Sequence, residues 1–168
     1  QQGALGLSSS LQYIPNRFST TDELIALATT AAEYGGIYIT HQRSEGNKVF
    51  ESVDEVLTIA GQADIPAEIW HLKTAYKANW GKMPEVLRRI DAARAKGLRV
   101  SATIYPYDRA SNGLDACLPV WVREGGTDAM LKRLQEPETR ARVKRDMDDP
   151  TAPFENQWYG SGGPAGVM

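Results

Sequence analysis

The sequence predicts an α/β fold, part of a parallel (β/α)8 TIM barrel comprising about four βα units. Three observations carry that expectation. Short apolar runs of strand character recur about every thirty residues, the length of one βα unit. Segments with helical periodicity, bounded by start and stop signals, lie between them. The two histidines of the chain, His41 and His71, fall at the same phase of successive units, each directly after an apolar run.

The strand-like segments are Ala4 to Ser8, Ile37 to Thr40, Ala67 to Trp70 and Leu98 to Ile104. Parallel pairing in chain order is expected, with strand ends at Ser8, His41, His71 and near Tyr105, because right-handed crossovers leave little choice of topology. Thr20 and Glu23 form a capping box before Leu24, Leu27, Ala28 and Ala31, and Gly35 is placed to stop that helix. Ser52 and Glu55 repeat the pattern before Val56, Ile59 and Ala60. Pro84 suits the first turn of a third helix, with Val86, Leu87, Ile90 and Ala93 on one face and Gly97 at its end. After Tyr107 the pattern changes. Asp108 to Leu118 reads as a polar loop, Thr127 to Leu134 and Pro137 to Met147 as short charged helices, and the stretch beyond Asp148 shows little regularity. The basic run Arg140, Arg142, Lys144, Arg145 reads as a solvated helix face.

A length of 168 residues suits one ordinary domain but is short for a whole barrel, which typically needs about 250. The net charge of −2 gives no electrostatic reason to expect nucleic acid or a membrane surface as partner. The single cysteine, Cys117, excludes an internal disulfide and fits a cytoplasmic, reducing compartment. No apolar run approaches the ~20 residues of a membrane span. The segment Gln1-Gln2-Gly3-Ala4 has neither the basic nor the apolar region of a signal peptide. Both ends look cut, and the expectation is a piece of a longer protein.

Thr40-His41-Gln42-Arg43 and Trp70-His71-Leu72-Lys73 share a form, a histidine ending a strand and a cation two positions later. In a parallel barrel the carboxyl ends of adjacent strands face one mouth, so two such imidazoles can converge on one metal ion. The cations stand where an anionic substrate group could be held. No glycine-rich phosphate loop is present, and Ser8-Ser9-Ser10 lacks the nucleophile-elbow pattern.

A wider series surrounds these tetrapeptides: Gly3-Ala4-Leu5-Gly6-Leu7-Ser8, Tyr13 and Pro15, Glu33-Tyr34-Gly35-Gly36-Ile37-Tyr38, Thr40-His41-Gln42-Arg43-Ser44-Glu45, His71-Leu72-Lys73, Asn79-Trp80-Gly81-Lys82, Ile90-Asp91-Ala92-Ala93-Arg94 and Tyr105-Pro106-Tyr107. From about Gly3 to Met147 it resembles the D-aminoacylase (N-acyl-D-amino-acid deacylase) family of the amidohydrolase superfamily. The resemblance implies a zinc-dependent barrel enzyme that hydrolyses the amide of an N-acyl-D-amino acid. It places His41 and His71 as metal ligands at the ends of the fifth and sixth barrel strands. Tyr13, Arg43, Lys73, Tyr105 and Ser111 match positions that line the substrate pocket. Residues 1–107 then correspond to about strands four to seven, and 108–168 to a loop and short helices inserted before the last strand. The family's first-strand His-x-His pair, its metal-binding cysteine and its proton-accepting aspartate are expected outside this sequence, so the 168 residues alone are expected to be inactive and to need the rest of a parent chain. Ser10, Gln42, Trp70, Thr103 and Ile104 depart from the family pattern near the pocket. The alternatives are a cyclic-amide hydrolase of the same superfamily, against which the place of Lys73 argues, and a non-catalytic fragment.

Overall fold

The computed structural model describes residues 3–167. The chain runs β1 (Gly6–Ser10), α1 (Thr21–Ala32), β2 (Ile37–His41), α2 (Val49–Gln62), β3 (Ala67–Ile69), α3 (Met83–Ala95) and β4 (Val100–Ala102). It continues through α4 (Val120–Arg123), α5 (Gly126–Gln135), α6 (Pro137–Asp148) and α7 (Gln157–Gly160). Two compact units result: one holds the chain up to Ala75 together with Asn79–Pro106, the other Tyr76–Ala78 and the chain from Tyr107 onward.

In the first unit the four strands pair in parallel in the order β1-β2-β3-β4. This is the topology expected of successive right-handed βα units. Register places Ser10 beside His41, Thr40 beside Ile69 and Ile69 beside Ala102. Side chains alternate between faces, so Tyr38, Ala67, Ile69 and Val100 join one core with Leu24 and Ala28 of α1, Val53, Val56 and Ile59 of α2, and Val86 and Ile90 of α3. Polar groups on this covered face are paired, as burial requires: Ser9 Oγ lies 2.8 Å from both Tyr38 Oη and Thr40 Oγ1. The alternate positions Ile39, His41, Glu68 and Ser101 belong to the opposite face.

The helix signals fare unevenly. Thr20 and Glu23 form both bonds of a capping box at the start of α1. Pro84 lies in the first turn of α3, and Gly97, at φ +91°, ends the segment in a conformation that glycine adopts without steric penalty. The expected box at Ser52 and Glu55 does not form, because α2 starts earlier, at Val49. Ser52 is buried inside the helix, where its Oγ accepts from the Ser44 backbone N–H at 3.0 Å, and Glu55 is drawn to Arg43 and Thr21. Strand limits also shift. β1 runs to Ser10, two residues beyond the expected Ser8, whereas β3 stops at Ile69 and β4 at Ala102. The bonding continues past those ends, through Trp70 N–H to Thr40 O and Thr103 N–H to Ile69 O, until the chain turns at His71.

In the second unit, Cys117, Val122 and Val143 are buried. Trp121 Nε1 donates to Asp146 at 2.8 Å, and the Arg142 guanidinium stacks 4.0 Å from the Trp121 ring. The stretch read as a loop contains a 3₁₀ turn at Leu114–Cys117. Past Asp148 regular structure does appear, as α7 and a 3₁₀ turn at Gly163–Ala165. The Asn156 side chain organises it, accepting from Tyr159 N–H and donating to Met147 O. Among the described residues no helix is long and apolar enough to cross a membrane.

Candidate metal centre

Adjacent strand ends supply the two histidines. His41 is the last residue of β2, and its carbonyl accepts from Leu11 N–H at 2.9 Å, which ties the chain after β1 to the end of β2. His71 follows β3 by two residues and takes a left-handed backbone, φ +41°. Its N–H donates to Thr103 Oγ1 of the next unit at 2.8 Å.

The rings meet edge to face with centroids 4.6 Å apart, and His41 Nδ1 lies 3.0 Å from His71 Nε2. Two nitrogens bound to one zinc at ~2.0–2.1 Å each stand no more than about 4.2 Å apart, so this pair fits a shared ion. The outer nitrogens have acceptors: His41 Nε2 lies 2.7 Å from Gln12 Oε1, and His71 Nδ1 lies 3.0 Å from Glu45 Oε1. An imidazole that donates from its outer nitrogen presents a lone pair on the inner one, the arrangement found around metal-binding histidines. Lys73 Nζ joins the same carboxylate, 2.6 Å from Glu45 Oε1 and 2.8 Å from His71 Nδ1. Ligand atoms of His41, Glu45 and His71 all lie within 4.8 Å of one another. The donor set, two imidazoles with a carboxylate close by, suits zinc.

Burial lowers the His41 pKa to about 4, against a raising effect of Glu45. The ring is therefore neutral at pH 7, the form that binds metal. Burial alone would raise the Glu45 carboxyl. The His71 hydrogen bond, with the His41 and Lys73 charges, outweighs it and holds Glu45 below the usual carboxylate range. With His41 neutral, Lys73 is the cation that keeps Glu45 ionised near pH 7.

Tyr13 and Tyr105 flank the pair. The Tyr13 ring centroid is 4.9 Å from His41 and that of Tyr105 is 5.9 Å from His71, with Lys73 Nζ 5.1 Å from the Tyr105 ring. Arg43 is engaged elsewhere: its guanidinium forms a two-point pair with Glu55 of α2 and donates to Arg17 O and Ser19 O. Ser111 belongs to the second unit. Three residues at the centre were given no role from sequence, namely Gln12, Glu45 and Thr103, the last noted only as a departure from the family pattern. Only Glu45 left a signal there, as a carboxylate four residues beyond a strand-end histidine.

No family model matches the chain. An N-acyl-D-glutamate deacylase of Alcaligenes xylosoxydans xylosoxydans is 40% identical over 111 residues, 66% of this chain and 23% of that protein. A D-aminoacylase of the same organism is 37% identical over 112 residues, 67% of this chain and 23% of that protein. Among solved structures, an N-acyl-D-glutamate deacylase from Bordetella bronchiseptica, complexed with zinc and a phosphonate mimic of the tetrahedral intermediate, superposes with a TM-score of 0.61 at 37% identity over 62% of this chain and 22% of its own. A D-aminoacylase mutant in complex with copper chloride gives 0.60 at 36% identity over the same shares. The chain spans under a quarter of the length of the relatives it matches. They belong to the family that the strand-end motifs resemble, and the four-stranded parallel sheet with its three intervening helices matches part of their barrel.

Proposed function

From this kinship with the D-aminoacylases we propose that the chain carries part of the active site of a zinc-dependent amidohydrolase acting on N-acyl-D-amino acids. The observation that carries the reading is the 3.0 Å approach of His41 Nδ1 to His71 Nε2 from adjacent strand ends. His41 and His71 would hold the metal, with Glu45 beside them. Bound zinc lowers the pKa of its water to about 7 and polarises the scissile carbonyl.

The remaining roles belong to the side chains of this chain. Gln12 and Glu45 orient the imidazoles. Lys73, at the mouth beside Tyr105, would receive the α-carboxylate of the substrate, with Tyr13 on the opposite flank. Arg43 completes the proposed pocket set of the first unit. Both cations are paired, Arg43 with Glu55 and Lys73 with Glu45, but Lys73 stands beside His71 whereas Arg43 is also tied to Arg17 O and Ser19 O, so Lys73 is the better placed carboxylate ligand of the two. In this reading residues 1–107 are barrel units and 108–168 an insertion, the protein works in the cytoplasm, and turnover draws on groups outside these residues.

The first test is a zinc titration followed on the imidazole resonances of the only two histidines. Both are expected to shift together with one stoichiometry, and His41→Ala is expected to abolish the response of His71. Independent responses, or none, overturn the metal assignment. For the substrate, Lys73→Ala in the intact parent protein is expected to raise KM for an N-acyl-D-amino acid roughly ten- to a hundredfold, the worth of a charge-assisted hydrogen bond. An amide lacking the carboxylate should be affected much less. Equal losses on both substrates would remove Lys73 from the carboxylate site.

A further inference from the structure

His71 carries a Cβ yet sits at φ +41°. That region is sparsely populated for such residues and persists only where the surroundings over-determine it. One residue supplies three of the bonds that do so. Thr103 N–H donates to Ile69 O at 3.0 Å, Leu72 N–H donates to Thr103 O at 2.8 Å, and His71 N–H donates to Thr103 Oγ1 at 2.8 Å. The first two are backbone bonds that almost any residue at 103 would make. The third depends on the side chain. It fixes the peptide plane entering His71, and with it the direction of the Cα–Cβ bond. From that direction the ring reaches His41 on one side, at 3.0 Å, and Glu45 on the other, also at 3.0 Å.

We propose that Thr103 is a positioning residue of the metal centre, its hydroxyl clasping the left-handed turn so that His71 faces His41. The inference rests on the metal reading of the two histidines, and it adds a residue that acts through the backbone of His71. Valine at 103 keeps the branched shape but leaves the His71 N–H without its acceptor. Serine keeps the acceptor and loses the methyl group.

The test compares the wild-type chain, Thr103→Val and Thr103→Ser by NMR, first without metal. In the wild type the His71 amide is expected to be protected from solvent exchange, and the two imidazoles to show a mutual nuclear Overhauser effect. In Thr103→Val the protection falls about tenfold, the inter-ring effect weakens, and the zinc dissociation constant rises roughly three- to tenfold, the size of one net hydrogen bond. Thr103→Ser stays within about twofold of wild type on all three, since the acceptor is retained. An unprotected His71 amide in the wild type overturns the inference, as does a Thr103→Val chain with unchanged inter-ring contact. So does a Thr103→Ser chain that loses as much as the valine variant. If the valine variant does not fold, amide protection in the wild type and in Thr103→Ser decides. A wild type that ignores zinc while keeping its protected amide and inter-ring contact would sink the metal reading and leave the clasp standing.

Discussion

Gln12 Oε1 stands 2.7 Å from His41 Nε2, both residues buried, across the ends of the neighbouring strands β1 and β2. A carbonyl acceptor at that nitrogen holds the proton there and leaves Nδ1 directed at His71. Such outer partners typically account for about 10- to 100-fold in metal affinity. Gln12→Leu is therefore expected to weaken zinc binding by that factor in a competition titration against a coloured chelator. Gln12→Glu keeps an acceptor and should bind zinc at least as tightly as the wild type. Equal affinity in the leucine variant would reduce the Gln12 contact to packing.

Arg43 and Glu55 give a second prediction. Four hydrogen bonds from one guanidinium tie the 17–19 loop to α2: two to the Glu55 carboxylate, one to Arg17 O and one to Ser19 O, each 2.9 Å long. Hydrogen bonds to a charged group are worth about 1.5–3 kcal/mol. Arg43→Ala is expected to cost an amount in that range, read as a lower urea midpoint with an unchanged slope. Lysine at 43 cannot reproduce the two-point geometry and should recover little. An unchanged midpoint in Arg43→Ala would mean that the guanidinium is available to a substrate.

The cations Arg43 and Lys73 show how far the sequence determines the site. Strand order and the meeting of His41 with His71 were legible, because both follow from a repeat that places like residues at like phases of parallel units. The cap of α1 was legible because its partners are three residues apart. Arg43 and Lys73 share the same offset from their histidines, yet one turns toward α2 and the other toward Glu45. The difference is conformational: His41 is still in its strand, whereas His71 turns left-handed, so equal spacing yields unequal directions. Gln12, Glu45 and Thr103 reach the histidines or their neighbour Lys73 across 29, 28 and 32 residues. No local pattern encodes contacts of that range. The misplaced start of α2 has the same origin, since the long-range partners of Glu55 overrule its capping signal.

Gln42 follows His41 and is fully buried, with neither its Oε1 nor its Nε2 hydrogen-bonded among the described residues. Burying an amide without partners costs about 1–3 kcal/mol on the scale of protein substitutions. Methionine has a similar length and no such groups. Gln42→Met is expected to stabilise the chain by up to about that amount, as a higher urea midpoint. A destabilised methionine variant would show that the amide does find partners in solution.

The last prediction concerns acid. Burial lowers the His41 pKa from 6.5 to about 4, so the folded chain resists taking up a proton that the unfolded chain accepts near 6.5. Between those values the unfolded state binds more protons, and by linkage the stability of the fold falls as pH drops through that window. The full contribution is present above about pH 6.5 and gone below about 4, and at 1.36 kcal/mol per unit it amounts to about 3 kcal/mol at most. Glu45 acts lower on the scale: its folded pKa is depressed, so its contribution holds above the ordinary carboxylate value and is lost only as pH falls further. The two windows separate in urea titrations of the metal-free chain, run with chelator between pH 7 and 4. The wild type should lose stability from about pH 6.5 downward, whereas His41→Gln, which carries no proton to take up, should stay flat until the carboxylate begins to titrate. A glutamine variant that loses stability over the same upper window would transfer the effect to another group and deny that His41 is buried neutral.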